Sequence, residues 1–454
     1  MINRQLFREY DIRGIVDRDL TEEAVTLIGR AFGTMVRRNG GSFVTCGRDG
    51  RLHSERLENA LAKGLNSAGV DVVDIGQCPT PVLYFSLFRL ETHGGIQVTG
   101  SHNPPDYNGL KMCLGRETIH GKKILELYEI IENRGFESGS GSIKKYDIIP
   151  DYLSHLKENI NLGRQVKVVL DCGNGVSALT APQAFSQAGA EVTSLYCTVD
   201  GRFPNHHPDP TVIENLSDLK RAVTEKGAEL GIAFDGDGDR IGVVDEKGEV
   251  IYGDKILLIL ARNLLASHPG ASVIGEVKCS HLLYNDIEAH GGVPVMWKTG
   301  HSLIKQKMKE TGALLAGEMS GHIFFADRYF GFDDATYAAL RLAEIVSQDN
   351  KPLSAYLEGI PETVSTPEIR VDCPEEFKFA IVEEAKKWFS HRFDTMDVDG
   401  IRILFPDGWG LIRASNTQPV LVLRFEAETP ERLEEIRNLV EKRLAVIREK
   451  VENA

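Results

Sequence analysis

The sequence predicts an α/β fold: three similar α/β domains and a C-terminal α+β domain around a central cleft. Three observations lead there. A helix-patterned stretch that ends in a small residue and a glycine, followed at once by an apolar strand, occurs three times. The junctions are Ala68-Gly69 before 70–75, Ala188-Gly189 before 191–196, and Gly291-Gly292 before 293–297. Glycine accepts the left-handed conformation that closes a helix, and a buried strand directly after it marks an α/β unit. Apolar runs at 166–170, 230–234 and 272–276 read as further strands of the same kind. The last part differs: a strand at 368–371, a helix at 374–389, a meander of 400–405, 410–414 and 420–426, and an amphipathic closing helix at 430–451. Finally, four polar loops fall one per block, which puts a ligand cleft where the blocks meet.

Composition bounds the function. A chain of 454 residues suits three or four domains, and 42% hydrophobic with 26% charged residues is enough to bury substantial cores. A net charge of -14 argues against a nucleic-acid partner and against adhesion to anionic membranes. Local Arg and Lys clusters still permit a phosphorylated ligand. The seven cysteines are scattered without a Cys-x-x-Cys pair, as expected for a reduced, cytoplasmic protein. The N-terminus lacks an apolar signal core, and the best apolar run, 256–261, is far too short to span a bilayer.

The first polar loop is Thr99-Gly-Ser-His-Asn-Pro-Pro-Asp-Tyr-Asn-Gly-Leu-Lys111. Gly100 permits a sharp bend before Ser101, Asn103 to Pro105 stiffen the exit, and Asn108-Gly109 is expected to form a second turn that swings Lys111 back toward Ser101. His102 and Lys111 become neighbours of a nucleophile that needs a base or a metal to act. The second loop, Asp235-Gly-Asp-Gly-Asp-Arg240, follows an apolar strand. Its alternate carboxylates, Asp235, Asp237 and Asp239, would project to one side of an extended chain, and oxygen-only ligation suits Mg2+. An EF-hand is not matched: Arg240 stands where its glycine belongs, and Glu246 belongs to a new turn. Three carboxylates leave room for a phosphoserine oxygen, with Arg240 at hand for the phosphoryl group.

The third loop, Gly317-Glu-Met-Ser-Gly-His322, presents Glu318, Ser320 and His322 on alternate positions. Glu318 can accept two sugar hydroxyls, Ser320 adds a hydroxyl, and His322 offers an imidazole that could serve as a general acid or base. The fourth, Arg413-Ala-Ser-Asn-Thr-Gln-Pro419, combines the Arg413 fork with the hydroxyl, amide and backbone donors of Ser415, Asn416 and Thr417, an anion cradle. Alone, each has a plainer reading: a serine in a turn, a solvated acidic turn, a structural histidine. His206 and His207, flanked by prolines, read as an ordered loop and not as metal ligands, and Met112 and Met319 as packing residues.

Together and in this order, the four segments resemble the α-D-phosphohexomutase superfamily, and within it the phosphomannomutase/phosphoglucomutase group. Phe7-Arg-Glu-Tyr-Asp-Ile-Arg-Gly14, Gly47-Arg-Asp-Gly-Arg51, Lys278 and Thr299-Gly-His301 extend the resemblance over nearly the whole chain. It implies that Ser101 carries a phosphate, donates it to a hexose monophosphate and takes the other phosphate back from the 1,6-bisphosphate. Mg2+ would be held by Asp235, Asp237, Asp239 and a Ser101 phosphate oxygen, and glucose 1,6-bisphosphate would act as activator. Lys111 and His322 are the candidates for proton transfer, with His102 and Arg13 supporting the phosphoserine. Tyr10, Lys278 and His301 would line the sugar path, and the 413–417 cradle would grip either end of the sugar. The family's phosphoglucosamine mutases typically carry Gln where Met319 stands, so Glu318-Met319-Ser320 favours glucose and mannose phosphates. Composition shifts and the family layout place domains at 1–147, 148–250, 251–362 and 363–454. A monomer is expected, because four lobes already enclose a site, with a dimer as the alternative. The competing classes are a phosphatase, for which the cradle has no purpose, and a noncatalytic sugar-phosphate binding protein, which would not need Ser101.

Overall fold

The computed structural model describes residues 2–416 and 418–453. Its four sheets fall in chain order, three with parallel strands at their centre and the last wholly antiparallel. In the first lobe the strands Gly94–Val98, Phe43–Arg48 and Asp71–Gln77 run parallel, flanked by Ile143–Lys145 on one edge and by Tyr107–Leu114 and Ile12–Ile15 on the other. Its helices Glu22–Arg38 and Ser54–Ser67 cross so closely that a Cβ on Gly64 would stand 2.1 Å from the Thr26 carbonyl oxygen. The second lobe orders its sheet Val250–Ile251, Ile241–Asp245, Leu230–Phe234, Lys167–Asp171, Glu191–Leu195, and the third Val293–Trp297, Ser272–Glu276, Leu315–Gly317, Ile323–Phe325. The three predicted helix-closing glycines, Gly69, Gly189 and Gly291, are all left-handed, at φ 81, 96 and 75°.

The fourth lobe has strands Ile369–Asp372, Ile401–Phe405, Gly408–Ala414 and Val420–Ala427 and helices Lys378–Ser390 and Pro430–Glu452, with short edge strands Val364–Ser365 and Thr395–Met396 too brief to leave a periodic signal. The expected α+β lobe is therefore present, its first helix beginning later than its polar pattern suggests.

One continuous apolar core runs through the first three lobes by way of the helix Ala335–Gln348, whose residues are buried through Ser347. The first lobe has a second core of its own and the last lobe a separate one. The last lobe docks on the third through Arg402, which is fully buried, lies 3.7 Å from the Trp409 ring centre, and donates to the Val277 and Cys279 carbonyls at 2.7 and 2.8 Å.

In every lobe the proposed functional loop joins two neighbouring antiparallel strands: Gly94–Val98 to Tyr107–Leu114, Leu230–Phe234 to Ile241–Asp245, Leu315–Gly317 to Ile323–Phe325, and Gly408–Ala414 to Val420–Ala427. A hairpin connection is short and its ends are fixed by the ladder, so each loop is delivered at a defined place on the lobe. One local expectation fails. Asn108-Gly109 forms no turn but lies inside the strand Tyr107–Leu114, paired with Gly14 and Arg13. Glycine is needed there for close approach, since a Cβ on Gly109 would stand 2.4 Å from the Ile12 carbonyl oxygen.

Candidate active site

The four hairpin loops border a cavity of about 950 Å3 between the lobes. Eight Lys or Arg side chains line it against four Asp or Glu, in a chain whose net charge is -14. Cationic walls of this kind concentrate an anionic ligand that the whole protein would repel. Tyr10, Arg13, His102, Lys111, Arg240, Lys278, His301, Glu318, Ser320, His322, Arg413 and Ser415 all line it.

Ser101 lies just beneath the wall, 1% exposed, with φ 48°, a left-handed conformation that costs a non-glycine residue energy and must be imposed by its surroundings. Asp49 accepts hydrogen bonds from Thr99 Oγ1 and the Gly100 N–H at 2.9 and 3.0 Å, and Thr99 Oγ1 accepts from the Ser101 N–H at 2.8 Å. Arg51, 3% exposed, donates to four carbonyls of the loop: Ser101, Asn103, Pro104 and Tyr107, at 2.6–3.1 Å. Held in this way, Ser101 Oγ donates to Asp235 Oδ2 at 2.9 Å and lies 3.4 Å from His102 Nδ1. Burial first, and then the charges of Arg240 and Arg13, push the His102 imidazole well below its ordinary range. Arg13 reaches the loop through Asn103 Oδ1 at 3.0 Å.

The carboxylates of Asp235, Asp237 and Asp239 are fully buried, and each offers an oxygen within 4.8 Å of the others. They converge for a reason other than the expected alternation along an extended chain. The loop coils about Asp235, whose Oδ1 accepts the backbone N–H groups of Gly238, Asp239 and Arg240 at 3.0–3.2 Å. Lys111 Nζ lies in the cluster and not at Ser101, donating to Asp237 Oδ2 at 2.8 Å and to Asp239 Oδ2. Burial works to lower the Lys111 ammonium, but Asp237, Asp239 and Asp235 overcome it and hold its value above the ordinary lysine range. Asp235 is raised by burial and by its two acidic neighbours. Oxygen-only ligands, with Asp237 Oδ1 and Asp239 Oδ1 buried and unpartnered, fit a hard divalent cation whose charge would replace that of Lys111.

In the third loop, burial pushes the Glu318 carboxyl up, and its Oε1 accepts the Gly300 N–H at 2.6 Å. His322 Nε2 accepts from Arg240 Nε at 3.0 Å, while Nδ1 stands 3.0 Å from Asp333 Oδ2. Lys305 holds the other oxygen of Asp333 at 2.9 Å, and the ring of His301 stacks on that of His322 at 5.6 Å. Lys278 is paired with Glu276 at 3.4 Å and Glu368 at 3.2 Å, across the third and fourth lobes. In the fourth loop Arg413 is fixed by Asp399 at 3.0 Å, and the buried Lys378 donates to the Ser415 and Gln418 carbonyls at 2.6 and 3.2 Å. Asn416 Nδ2 donates to the Tyr10 hydroxyl at 2.7 Å, which donates in turn to the Thr299 carbonyl at 2.9 Å, so Tyr10 ties three lobes together. Thr417 lies outside the described residues. His206 pairs with Asp171 at 3.0 Å, and His207 contacts the His102 carbonyl.

Sequence reasoning assigned no role to Asp49, Arg51, Asp333 or Lys378. Asp49 and Arg51 belong to a noted segment, Gly47-Arg-Asp-Gly-Arg51, which was the one available signal. The others act only through tertiary contact.

Comparison with known proteins agrees with this architecture. Models of phosphoglucomutase/phosphomannomutase α/β/α domains I, II and III match residues 4–138, 150–248 and 252–364, and the model of that family's C-terminal domain matches 368–443. The chain is 50% identical over 445 residues to a phosphomannomutase/phosphoglucomutase of Pseudomonas aeruginosa, covering 97% of this chain and 96% of the relative. It is 47% identical to a phosphoglucomutase of Neisseria gonorrhoeae, with 96% of each chain covered. A solved phosphoglucomutase/phosphomannomutase family protein of Burkholderia thailandensis superposes with a TM-score of 0.94 at 45% identity over 98% of both chains. Four family domains in order, half-identical relatives over nearly full length and a matching solved structure establish that this chain belongs to the phosphoglucomutase/phosphomannomutase family of the α-D-phosphohexomutase superfamily.

Proposed function

We propose that the protein is a phosphohexomutase that reversibly moves phosphate between the 1- and 6-positions of mannose and glucose phosphates, through a phosphate carried on Ser101 and a hexose 1,6-bisphosphate. One observation carries the reading: Ser101 Oγ is held 2.9 Å from Asp235, at the edge of a three-carboxylate cluster and beside a cation-lined cavity of about 950 Å3. In the first half-reaction a sugar hydroxyl oxygen attacks the Ser101 phosphorus and the bond to Ser101 Oγ breaks. The hydroxyl proton passes to His322, because Lys111 is already an ammonium among the aspartates; the bonding pair leaves with Ser101 Oγ in the field of Arg240 and Lys111, and Lys111 is the acid that can return a proton to that oxygen. In the second half, the bisphosphate returns its other phosphate to Ser101.

Mg2+, held by Asp235, Asp237, Asp239 and a phosphoserine oxygen, supplies charge neutralisation to the transferring group when bound. Arg13 and His102 support the phosphoserine. Glu318 and Ser320 take sugar hydroxyls, and Arg413, Ser415, Asn416 and Thr417 grip the phosphate that is not being transferred. Tyr10, Lys278 and His301 line the path along which the sugar turns round between half-reactions. The hydroxyls at positions 3 and 4 are common to glucose and mannose, so a Glu318 that reads them serves both sugars. We take the domains as 1–147, 148–250, 251–362 and 363–454, the protein as a cytoplasmic monomer activated by glucose 1,6-bisphosphate, and its partners as hexose phosphates, with neither nucleic acid nor membrane among them. Among the described residues no helix is long and apolar enough to cross a membrane.

The test is a coupled assay of wild type and Ser101→Ala with Mg2+ and a trace of glucose 1,6-bisphosphate, on mannose 1-phosphate, glucose 1-phosphate and glucosamine 1-phosphate. Turnover of the first two that collapses in the variant is expected. Turnover of glucosamine phosphate alone overturns the sugar assignment, and no isomerisation of any sugar overturns the mutase reading.

A further inference from the structure

The seven cysteines of the chain are all free, and six of them are buried. The exception is Cys197, and it does not stand alone: its sulfur lies 2.8 Å from that of Cys172. The fold creates this contact. Lys167–Asp171 and Glu191–Leu195 are adjacent parallel strands, with Asp171 opposite Leu195 and the Cys172 N–H donating to the Leu195 carbonyl at 3.1 Å. Both cysteines therefore emerge from the same end of the same strand pair. Between Leu195 and Cys197 the chain turns at Tyr196, in the left-handed region at φ 52°, unusual for an aromatic residue and secured by its hydroxyl donating to Asp218 Oδ2 at 2.6 Å. That turn directs the Cys197 sulfur back over Cys172.

Neither thiol belongs to a group of side chains placed to hold a metal among the described residues. Closing the pair to a disulfide requires the sulfurs to approach by only about 0.8 Å, because the bond is about 2.05 Å long.

We propose that Cys172 and Cys197 are a redox modification site, a vicinal thiol pair in space that hydroperoxides convert to an intramolecular disulfide. Cys197 is the attacking sulfur, since it alone is not buried. Its thiolate attacks one oxygen of hydrogen peroxide, the O–O bond breaks, hydroxide leaves, and Cys197 becomes a sulfenic acid. Cys172 then attacks the Cys197 sulfur, and the Cys172 proton with the sulfenic hydroxyl leaves as water. Peroxide is reduced by two electrons and the two thiols are oxidised by two. The acidities run in the required order: the hydrogen bond with Cys172 lowers Cys197 against the opposing effect of burial, whereas burial raises Cys172 well above the thiol range.

The position gives the modification consequence. The segment after Cys197 lies on the anchor of the Ser101 loop: a Cβ on Gly50 would stand 2.4 Å from Val199, a Cβ on Gly201 would stand 2.6 Å from Arg51 Cα, and the Phe203 ring centre is 5.2 Å from the Arg51 guanidinium. A disulfide would pin the root of this segment.

The experiment treats full-length wild type, Cys197→Ser and Cys172→Ala with a modest excess of hydrogen peroxide, then counts titratable thiols after denaturation and maps peptides without reduction. Wild type is expected to fall from seven thiols to five, to yield one linked peptide pair containing Cys172 and Cys197, and to recover seven with dithiothreitol. Cys197→Ser is expected to keep all six of its thiols. Because Cys172 is buried and its variant could fold poorly, the exposed-side variant Cys197→Ser and the wild-type peptide map decide the matter alone. Seven thiols surviving peroxide, loss of two thiols in Cys197→Ser as well, a different linked pair, or Cys197 accumulating as sulfinic acid without a disulfide would each overturn the assignment.

Discussion

Replacing Arg51 by lysine tests how the nucleophile is held. The wild-type guanidinium divides four carbonyl acceptors between two nitrogens, Nη1 to Pro104 and Tyr107, and Nη2 to Ser101 and Asn103, with Nε 3.2 Å from Asp49. A lysine keeps the charge but offers its three N–H groups from one atom, so it can satisfy about two of those acceptors, and the rest are left buried and unpaired. Hydrogen bonds to a charged donor contribute about 1.5–3 kcal/mol each, so losing two should cost about 3 kcal/mol or more of folding stability. The loop they release carries Ser101 in its strained conformation, and a displacement of about 1 Å at a reacting atom lowers turnover roughly a hundredfold. Glu318 and Arg413 sit on other lobes and are untouched, so KM should stay close to wild type while kcat falls. Urea unfolding and steady-state kinetics on glucose 1-phosphate measure both. A folded Arg51→Lys enzyme with wild-type stability and kcat within about twofold of wild type would refute the claim that this guanidinium positions the nucleophile.

Burial and repulsion from Asp74 raise the Glu58 carboxyl to about 7 despite Arg48 at 2.6 Å. The native state then holds a proton that the unfolded chain has released, so this residue makes stability fall as pH rises from about 4.5 to about 7, with no further loss above that. Glu58→Gln should remove that slope, worth roughly 3 kcal/mol across the window, and parallel stability curves for the two proteins would show that Glu58 does not titrate in this way. Tyr10→Phe removes one hydrogen bond given and one received between lobes, at about 1 kcal/mol each, so kcat/KM should fall about thirtyfold; an unchanged kcat/KM would mean that the three-lobe tie contributes nothing to turnover. Gly64→Ala gains about 1 kcal/mol of helix propensity but forces a methyl to 2.1 Å from the Thr26 carbonyl oxygen, so the helix pair must separate. Overpacking of this kind costs about 1–3 kcal/mol, and a net loss by thermal unfolding is expected; a more stable variant would show that the crossing has slack.

Most of the fold was legible because helix-closing glycines and buried apolar strands are local signals, and the chain repeats them in three lobes. The chemistry was legible for a related reason: Ser101, the three aspartates, Glu318 and Arg413 sit in short loops whose composition suits no core. What stayed hidden depends on tertiary contact. Asn108-Gly109 carries the dipeptide of a tight turn, yet pairing with Ile12–Ile15 draws it into a strand. Lys111 was expected beside Ser101, and the uncompensated carboxylates of the neighbouring lobe draw it to Asp237 and Asp239 instead. Arg51 and Lys378 each have an acidic neighbour close in sequence, Asp49 and Glu375, but they also donate to backbone carbonyls of loops far along the chain, and no residue pattern announces those carbonyl partners.

A phosphohexomutase of this kind requires that Ser101 itself carry the phosphate that is transferred. Wild-type protein would be incubated with glucose 1,6-bisphosphate and Mg2+, freed of sugar, and its peptides weighed before and after addition of mannose 1-phosphate. One phosphoryl group on the peptide containing Ser101, discharged by the sugar with formation of a hexose bisphosphate, is the predicted result. A phosphoryl group at another residue, or turnover with Ser101 never labelled, would contradict it.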